Sequence, residues 1–209
     1  MEINILYLHG YCGNEELATM QTAHFRSSLE NVANIYSLTV KNHFVNGLYK
    51  LDFTPKDTFI SENINPPYYA HCYYNYLSNK QVEYTGIDDS VKYLKNIVEK
   101  NNINGIVAFS QGTYITSILN SFVDLDFIVY FSGMPCLNLD YPININIPSY
   151  HIVGKEDKWY EAGLVLHTKY LKSEKDTQLF EHAGDHHFPK GKDVYIYTKI
   201  AQWIVEICD

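Results

Sequence analysis

Ser110, Asp157 and His186 are the residues whose types, order and surroundings could together do chemistry. Ser110 lies in Asn104-Gly-Ile-Val-Ala-Phe-Ser-Gln-Gly-Thr113. Ile106 to Phe109 reads as a buried strand and Thr113 to Phe122 as a helix. The serine therefore falls on a sharp strand-to-helix turn that presents its hydroxyl at the top of a sheet, a nucleophile elbow. Such a turn is tight, and small residues must stand two before and two after the serine. Ala108 and Gly112 do, with alanine a departure from the usual glycine. A small-x-Ser-x-Gly string also arises by chance, so the flanking strand and helix are what give this one meaning.

A serine hydroxyl is a weak nucleophile at neutral pH. It needs a base within hydrogen-bond reach and an acid that orients the base. The chain supplies both downstream, in the order serine, acid, histidine. The acid candidate is Asp157, in the loop that follows the apolar strand Ser149 to Val153, with Glu156 as the alternative. Read alone, either carboxylate would be a solvated loop acid capping the helix near Trp159. The base candidate is His186, in Phe180-Glu-His-Ala-Gly-Asp-His-His-Phe-Pro189, where Gly184 gives the loop freedom to turn. His187 and His182 are the alternatives. Donors for a developing oxyanion are expected from the backbone N–H of Gln111, at a helix N-terminus, and from that of Tyr11 in His9-Gly10-Tyr11-Cys12-Gly13, with Cys12 as the alternative. His9 reads as a structural histidine bonded to its own loop. Cys12 and Cys136 lack an elbow, and Cys136 is expected near the rim of the site.

These residues must be positioned by a scaffold, and the pattern of the chain indicates which. Strand-like and helix-like segments alternate, as in a mostly parallel sheet of about six strands flanked by helices. Strands are expected at Ile3 to Leu8, Ile35 to Val40, Ile106 to Phe109, Phe127 to Phe131, Ser149 to Val153 and Gln178 to Glu181. Helices are expected at Glu15 to Leu29, Ile87 to Val98, Thr113 to Phe122, Trp159 to Leu171 and Asp193 to Ile207. Between them, around 41–82, periodicity fades into an irregular, cap-like insertion rich in Tyr and Pro. A loop of that length is usually functional. The 209 residues suit one domain spanning 1–209, able to bury roughly 70% of its unfolded surface.

A net charge of −8 without a Lys/Arg cluster argues against nucleic acid as a partner. The four cysteines form no CxxC pair and no zinc-like spacing, so reduced thiols in the cytoplasm are expected, with neither metal nor organic cofactor. The apolar run at the N-terminus is too short to serve as a signal peptide or a membrane span, and no stable membrane anchoring is expected.

The motifs resemble those of the FSH-type α/β-hydrolases, the family of serine hydrolases that includes the ovarian-cancer-associated serine hydrolase and fungal relatives. Leu6-Tyr-Leu-His-Gly-Tyr-Cys-Gly-Asn14 is similar to the family's Leu-His-Gly opening, and Tyr84-Thr-Gly-Ile-Asp-Asp-Ser90 to its Tyr-x-Gly-Leu-x-x-Ser. Ala108-Phe-Ser-Gln-Gly112 is similar to Gly-Phe-Ser-Gln-Gly, and Phe131-Ser-Gly-Met134 to Ile-Ser-Gly-Phe. His151-Ile-Val-Gly-Lys-Glu-Asp157 matches His-x-x-Gly-x-x-Asp, and His182-Ala-Gly-Asp-His186 is similar to His-Pro-Gly-Gly-His. The resemblance covers nearly the whole chain. It implies nucleophile, acid and base at Ser110, Asp157 and His186, and oxyanion donors at the amides of Gln111 and the residue after Gly10. It further implies a hydrolase of carboxylic esters or thioesters acting on small acyl substrates through an acyl-enzyme. Asp185 departs from the pattern: a carboxylate beside His186 can raise its pKa or draw the ring away. Two alternatives accompany this expectation. One is an acyl-protein thioesterase-like depalmitoylating enzyme, although such enzymes usually carry glycine where this chain has Thr113. The other is a non-catalytic scaffold acting as a binding protein, although such scaffolds typically lose a triad member.

Overall fold

The computed structural model describes residues 1–76, 82–137 and 141–208. The chain begins with β1 (Glu2–Leu8), α1 (Glu15–Gln21), α2 (Ala23–Ile35) and β2 (Thr39–Val45). An insertion follows, made of β3 (Tyr49–Leu51), α3 (Thr58–Asn63), β4 (Tyr68–Ala70), β5 (Tyr73–Tyr76) and β6 (Val82–Thr85). Next come α4 (Ile87–Asn101), β7 (Gly105–Phe109), α5 (Gln111–Leu119) and β8 (Phe127–Phe131). The chain closes with β9 (Ser149–Gly154), α6 (Tyr160–Tyr170), β10 (Thr177–His182) and α7 (Ile196–Cys208).

β10, β9, β8, β7, β1 and β2 form, in that order, one six-stranded sheet, and every neighbouring pair is parallel. Both faces are covered, which is why the inner strands read as unbroken apolar runs. Alternation divides them between two cores. Ile3, Ile5 and Tyr7 of β1, with Phe127, Val129 and Phe131 of β8, pack against α2 and α7. Leu6 and Leu8, with Ile128 and Tyr130, pack against α4, α5 and α6. Among the described residues, no helix is long and apolar enough to cross a membrane.

The structure departs from the sequence expectations where an element is short or lies at an edge. The helix expected over 15–29 is broken at Thr22, whose N–H returns to the Ala18 carbonyl at 3.1 Å before α2 begins. The strand expected at 35–40 starts later. Ile35 ends α2 with 79% of its surface exposed, and pairing with β1 begins at Thr39. β2 is an edge strand of mixed polarity, so no apolar run announces it. The insertion, expected to be irregular, holds two antiparallel ladders, β3–β4 and β5–β6. A small core of its own joins Leu51, Ile64, Tyr68 and Ala70 to Cys12 and Leu17. Part of the stretch read as aperiodic, residues 77–81, lies outside the described residues.

The insertion is fastened to the sheet through His9 and His71, both buried, with ring centroids 4.6 Å apart. His9 Nε2 accepts the Gly47 N–H at 2.9 Å, so Nδ1 carries the proton and donates to the Gly10 carbonyl at 2.7 Å. His71 Nε2 donates to the His9 carbonyl at 3.1 Å. Burial depresses the His9 pKa to about 4, against a small opposing effect of the Gly10 carbonyl, and burial likewise holds His71 well below the ordinary histidine range. Below pH ~6.5 the unfolded chain takes up protons that the folded chain refuses, so stability falls as the pH drops from ~6.5 towards 4. We expect urea unfolding at pH 5 to show a loss of about 2 kcal/mol from His9 alone relative to pH 7. His9→Asn should flatten the slope between pH 6.5 and 5, whatever it does to absolute stability; an unchanged slope would contradict this account.

Candidate active site

The sequence around Ser110 leaves the backbone only one way to pass from β7 into α5. Ser110 adopts φ 51° and ψ −115°, a left-handed conformation that costs a residue with a side chain about 1–3 kcal/mol. Its N–H donates to the Phe131 carbonyl at 3.1 Å, continuing the ladder to β8. Its carbonyl accepts the Thr113 N–H at 2.9 Å and the Thr113 hydroxyl at 2.6 Å. A Cβ on Gly112 would lie 2.8 Å from the Leu8 carbonyl oxygen and 2.9 Å from that of His9, so only glycine lets α5 sit on the end of β1. Ala108, in register between Leu8 and Tyr130, is buried, and its methyl is accommodated.

Asp157 leaves β9 in a turn whose N–H returns to the Gly154 carbonyl at 3.1 Å. Its two carboxylate oxygens divide two tasks. Oδ1 accepts the Trp159 N–H at 2.8 Å and so holds the turn that leads into α6. Oδ2 accepts His186 Nδ1 at 2.6 Å. Burial pushes the carboxyl upward, but the His186 and Trp159 donors and the nearby Lys158 charge outweigh it, so the pKa lies below the usual value and the group is ionised. An ionised acceptor at Nδ1 fixes the proton there and leaves the Nε2 lone pair for Ser110 Oγ, 2.8 Å away. The serine hydroxyl, the imidazole and the carboxylate thus form one hydrogen-bonded chain.

The residues after His186 anchor the base loop. Phe188 is buried, stacks on Phe109 at a centroid separation of 5.1 Å and meets the Phe131 ring at a tilt, 4.4 Å away. The Tyr197 hydroxyl on α7 donates to the Pro189 carbonyl at 2.7 Å. Lys155 and Glu156 donate their N–H groups to the His182 and Gly184 carbonyls at 2.9 and 3.0 Å, tying the acid and base loops together. The Glu156 side chain faces solvent. The other histidines are engaged elsewhere. His187 bonds the Phe188 carbonyl through Nδ1 at 2.7 Å and pairs through Nε2 with Asp185 at 3.0 Å. His182 is buried, accepts the Gly184 N–H at 3.2 Å and stacks on His187. Asp185, expected to perturb His186, instead faces His187.

Gly10 brings the loop after β1 against the elbow: a Cβ there would lie 3.2 Å from that of Ser110. Among the described residues, the Tyr11 and Gln111 N–H groups have no protein acceptor. The Gln111 side chain, which sequence reasoning passed over, accepts the His71 N–H at 2.8 Å and donates to the Cys72 carbonyl at 2.9 Å, binding the insertion to the elbow. Burial raises the Cys12 thiol to about 11. Cys136 is buried in the core between the sheet and α4 to α6.

The family described as Serine hydrolase (FSH1) matches residues 1–196. No curated protein matches the chain. Among solved structures, SOBER1 of Arabidopsis thaliana is similar over 100% of both chains, with 14% identity and a TM-score of 0.69. A carboxylesterase from Mesorhizobium loti is similar over 97% of this chain and 88% of its own, with 14% identity and a TM-score of 0.63. At such identities the likeness is one of fold, the α/β-hydrolase fold.

A Cβ on Gly154 would fall 2.3 Å from the Asp185 carbonyl oxygen and 2.4 Å from that of Gly184. We therefore expect Gly154→Ala to force the base loop outward, lowering the unfolding free energy by about 1–3 kcal/mol. In NMR spectra the imidazole N–H signal held by Asp157 should shift or vanish. An unmoved signal at unchanged stability would contradict the packing described.

Proposed function

The chain belongs to the family of serine hydrolases described as FSH1, and on that premise we propose that it cleaves carboxylic esters through Ser110, His186 and Asp157. The observation that carries this reading is the hydrogen-bonded chain at 2.8 and 2.6 Å, set on a serine in the strained elbow conformation. Ser110 Oγ attacks the acyl carbonyl carbon while His186 Nε2 takes its proton. Asp157 keeps the other imidazole proton on Nδ1 and stabilises the imidazolium. The oxyanion accepts hydrogen bonds from the amides of Gln111 and Tyr11, where pre-aimed donors act at the moment charge develops. Collapse of the tetrahedral species breaks the bond to the leaving alkoxide, which receives the proton from Nε2. Water then gives a proton to Nε2, attacks the acyl-serine and releases the acid, restoring the hydroxyl.

Thioesters fit the same steps, since a thiolate leaves more readily than an alkoxide; matched oxyester and thioester pairs would rank the two. A binding scaffold has no use for an ionised carboxylate, a fixed tautomer and a strained serine held in line, and it predicts no reaction with a fluorophosphonate. We expect such a probe to label the native protein at Ser110 and to spare Ser110→Ala. Ser110→Ala and His186→Ala should each lower kcat for p-nitrophenyl butyrate by about 10⁶-fold, whereas His187→Ala, remote from Ser110 in the hydrogen-bond pattern, should retain most of it. Loss of activity in His187→Ala with retention in His186→Ala would overturn the assignment of the base.

A further inference from the structure

An apolar cleft of about 50 Å³ opens beside the elbow, lined by Tyr74, Tyr84, Tyr114, Met134, Trp159 and Ala162 among others. Three of these residues are bound to the neighbourhood of the hydrogen-bonded chain. Tyr114 stands four residues past Ser110, on the first turn of α5. The Met134 N–H donates to Thr113 Oγ1 at 3.0 Å, and that hydroxyl is bonded to the Ser110 carbonyl. Trp159 receives its place from Asp157 through its N–H. The opposite wall comes from the insertion. Tyr74 and Tyr84 face each other across the β5–β6 ladder. Tyr84 meets Tyr114 edge-on at 6.0 Å, and Tyr74 meets the Tyr11 ring at 5.7 Å. The aromatic hairpin therefore reaches from the proposed oxyanion loop to the helix that follows the serine.

We infer that this cleft is the acyl-chain subsite and that the insertion, by closing its far wall with aromatic rings, restricts the enzyme to short acyl groups. The inference rests on the proposed ester hydrolysis and specifies its substrate class. Among the described residues, none that lines the cleft carries a charge, which suits an alkyl chain better than a charged one. At roughly 10–15 Å³ per water-sized atom, it has room for about four such atoms. That matches the tail of a butanoyl group. Thr113 contributes by position, holding Met134 against the elbow from both sides of its hydroxyl.

The test is kcat/KM for p-nitrophenyl esters of acetate, butyrate, octanoate and dodecanoate. We expect a maximum at butyrate and at least a tenfold fall by dodecanoate. Ala162→Leu should fill the cleft and lower the butyrate-to-acetate ratio about tenfold or more, the discrimination a few methylenes command in an apolar pocket. Tyr74→Ala, on the exposed hairpin and a lesser risk to folding, should move the maximum towards octanoate. Rates that rise to dodecanoate in the native protein would overturn the subsite while leaving ester hydrolysis intact. So would an unchanged chain-length profile in both variants. Absence of turnover with every ester would overturn the hydrolase reading, and the subsite with it.

Discussion

A serine held at φ 51° between a strand and a helix is the constraint on which the rest of this structure depends. Left to itself, that residue would relax into the β or α region and carry its hydroxyl away from the top of the sheet. It is held by neighbours that leave no alternative: the ladder bond to Phe131, the double bond to Thr113, and the contact of Gly112 with the end of β1. The strain is thus borne by the sheet as a whole. Two buried faces make the sheet rigid enough to bear it, and the charge relations of the site follow from where the hydroxyl is forced to point.

The site is assembled from loops that leave the carboxyl ends of parallel strands, where the fold places no other obligation on the chain. What distinguishes it from a collection of polar loop residues is a division of tasks among like groups. Asp157 holds the turn before α6 with one oxygen and orients an imidazole with the other. Of three clustered histidines, His182 is buried at the end of β10, His187 takes the local carboxylate Asp185, and His186 alone bridges the serine and Asp157. By engaging Asp185, His187 leaves a single ionised partner at His186 Nδ1, which keeps the tautomer unambiguous.

Strands buried on both faces were legible because each must be apolar throughout. β1, β7, β8 and β9 were therefore found nearly to the residue, and the loops after them delivered Ser110 and Asp157 as candidates. Legibility failed where burial is partial. β2 lies at a sheet edge and mixes polar with apolar residues, and the ladders of the insertion are three or four residues long, too short for a period to show. The choice among the histidines was open on local pattern, since all three fall between Glu181 and Phe188. Phe188 sinks into the core beside them, and the hydrogen bonds of the folded chain set His186 apart from its neighbours. The Gln111 side chain was invisible for a different reason: its partners are backbone groups of residues 71–72, about 40 positions away, and backbone groups carry no sequence signature.

That contact also bears on what the insertion is for. A loop packed on a domain merely to cover it would be joined only through apolar surface, such as the small core this one shares with Cys12 and Leu17. This one is joined to the residue next to the serine, to the histidine of the loop after β1 and, through Tyr74 and Tyr84, to rings on either side of the elbow. Each of these attachments falls on a group whose displacement would move either the serine or a proposed oxyanion donor. The insertion and the elbow are therefore physically linked: the Gln111 side chain and the His9 carbonyl tie residues 71 and 72, which lead into β5, to the turn that holds Ser110.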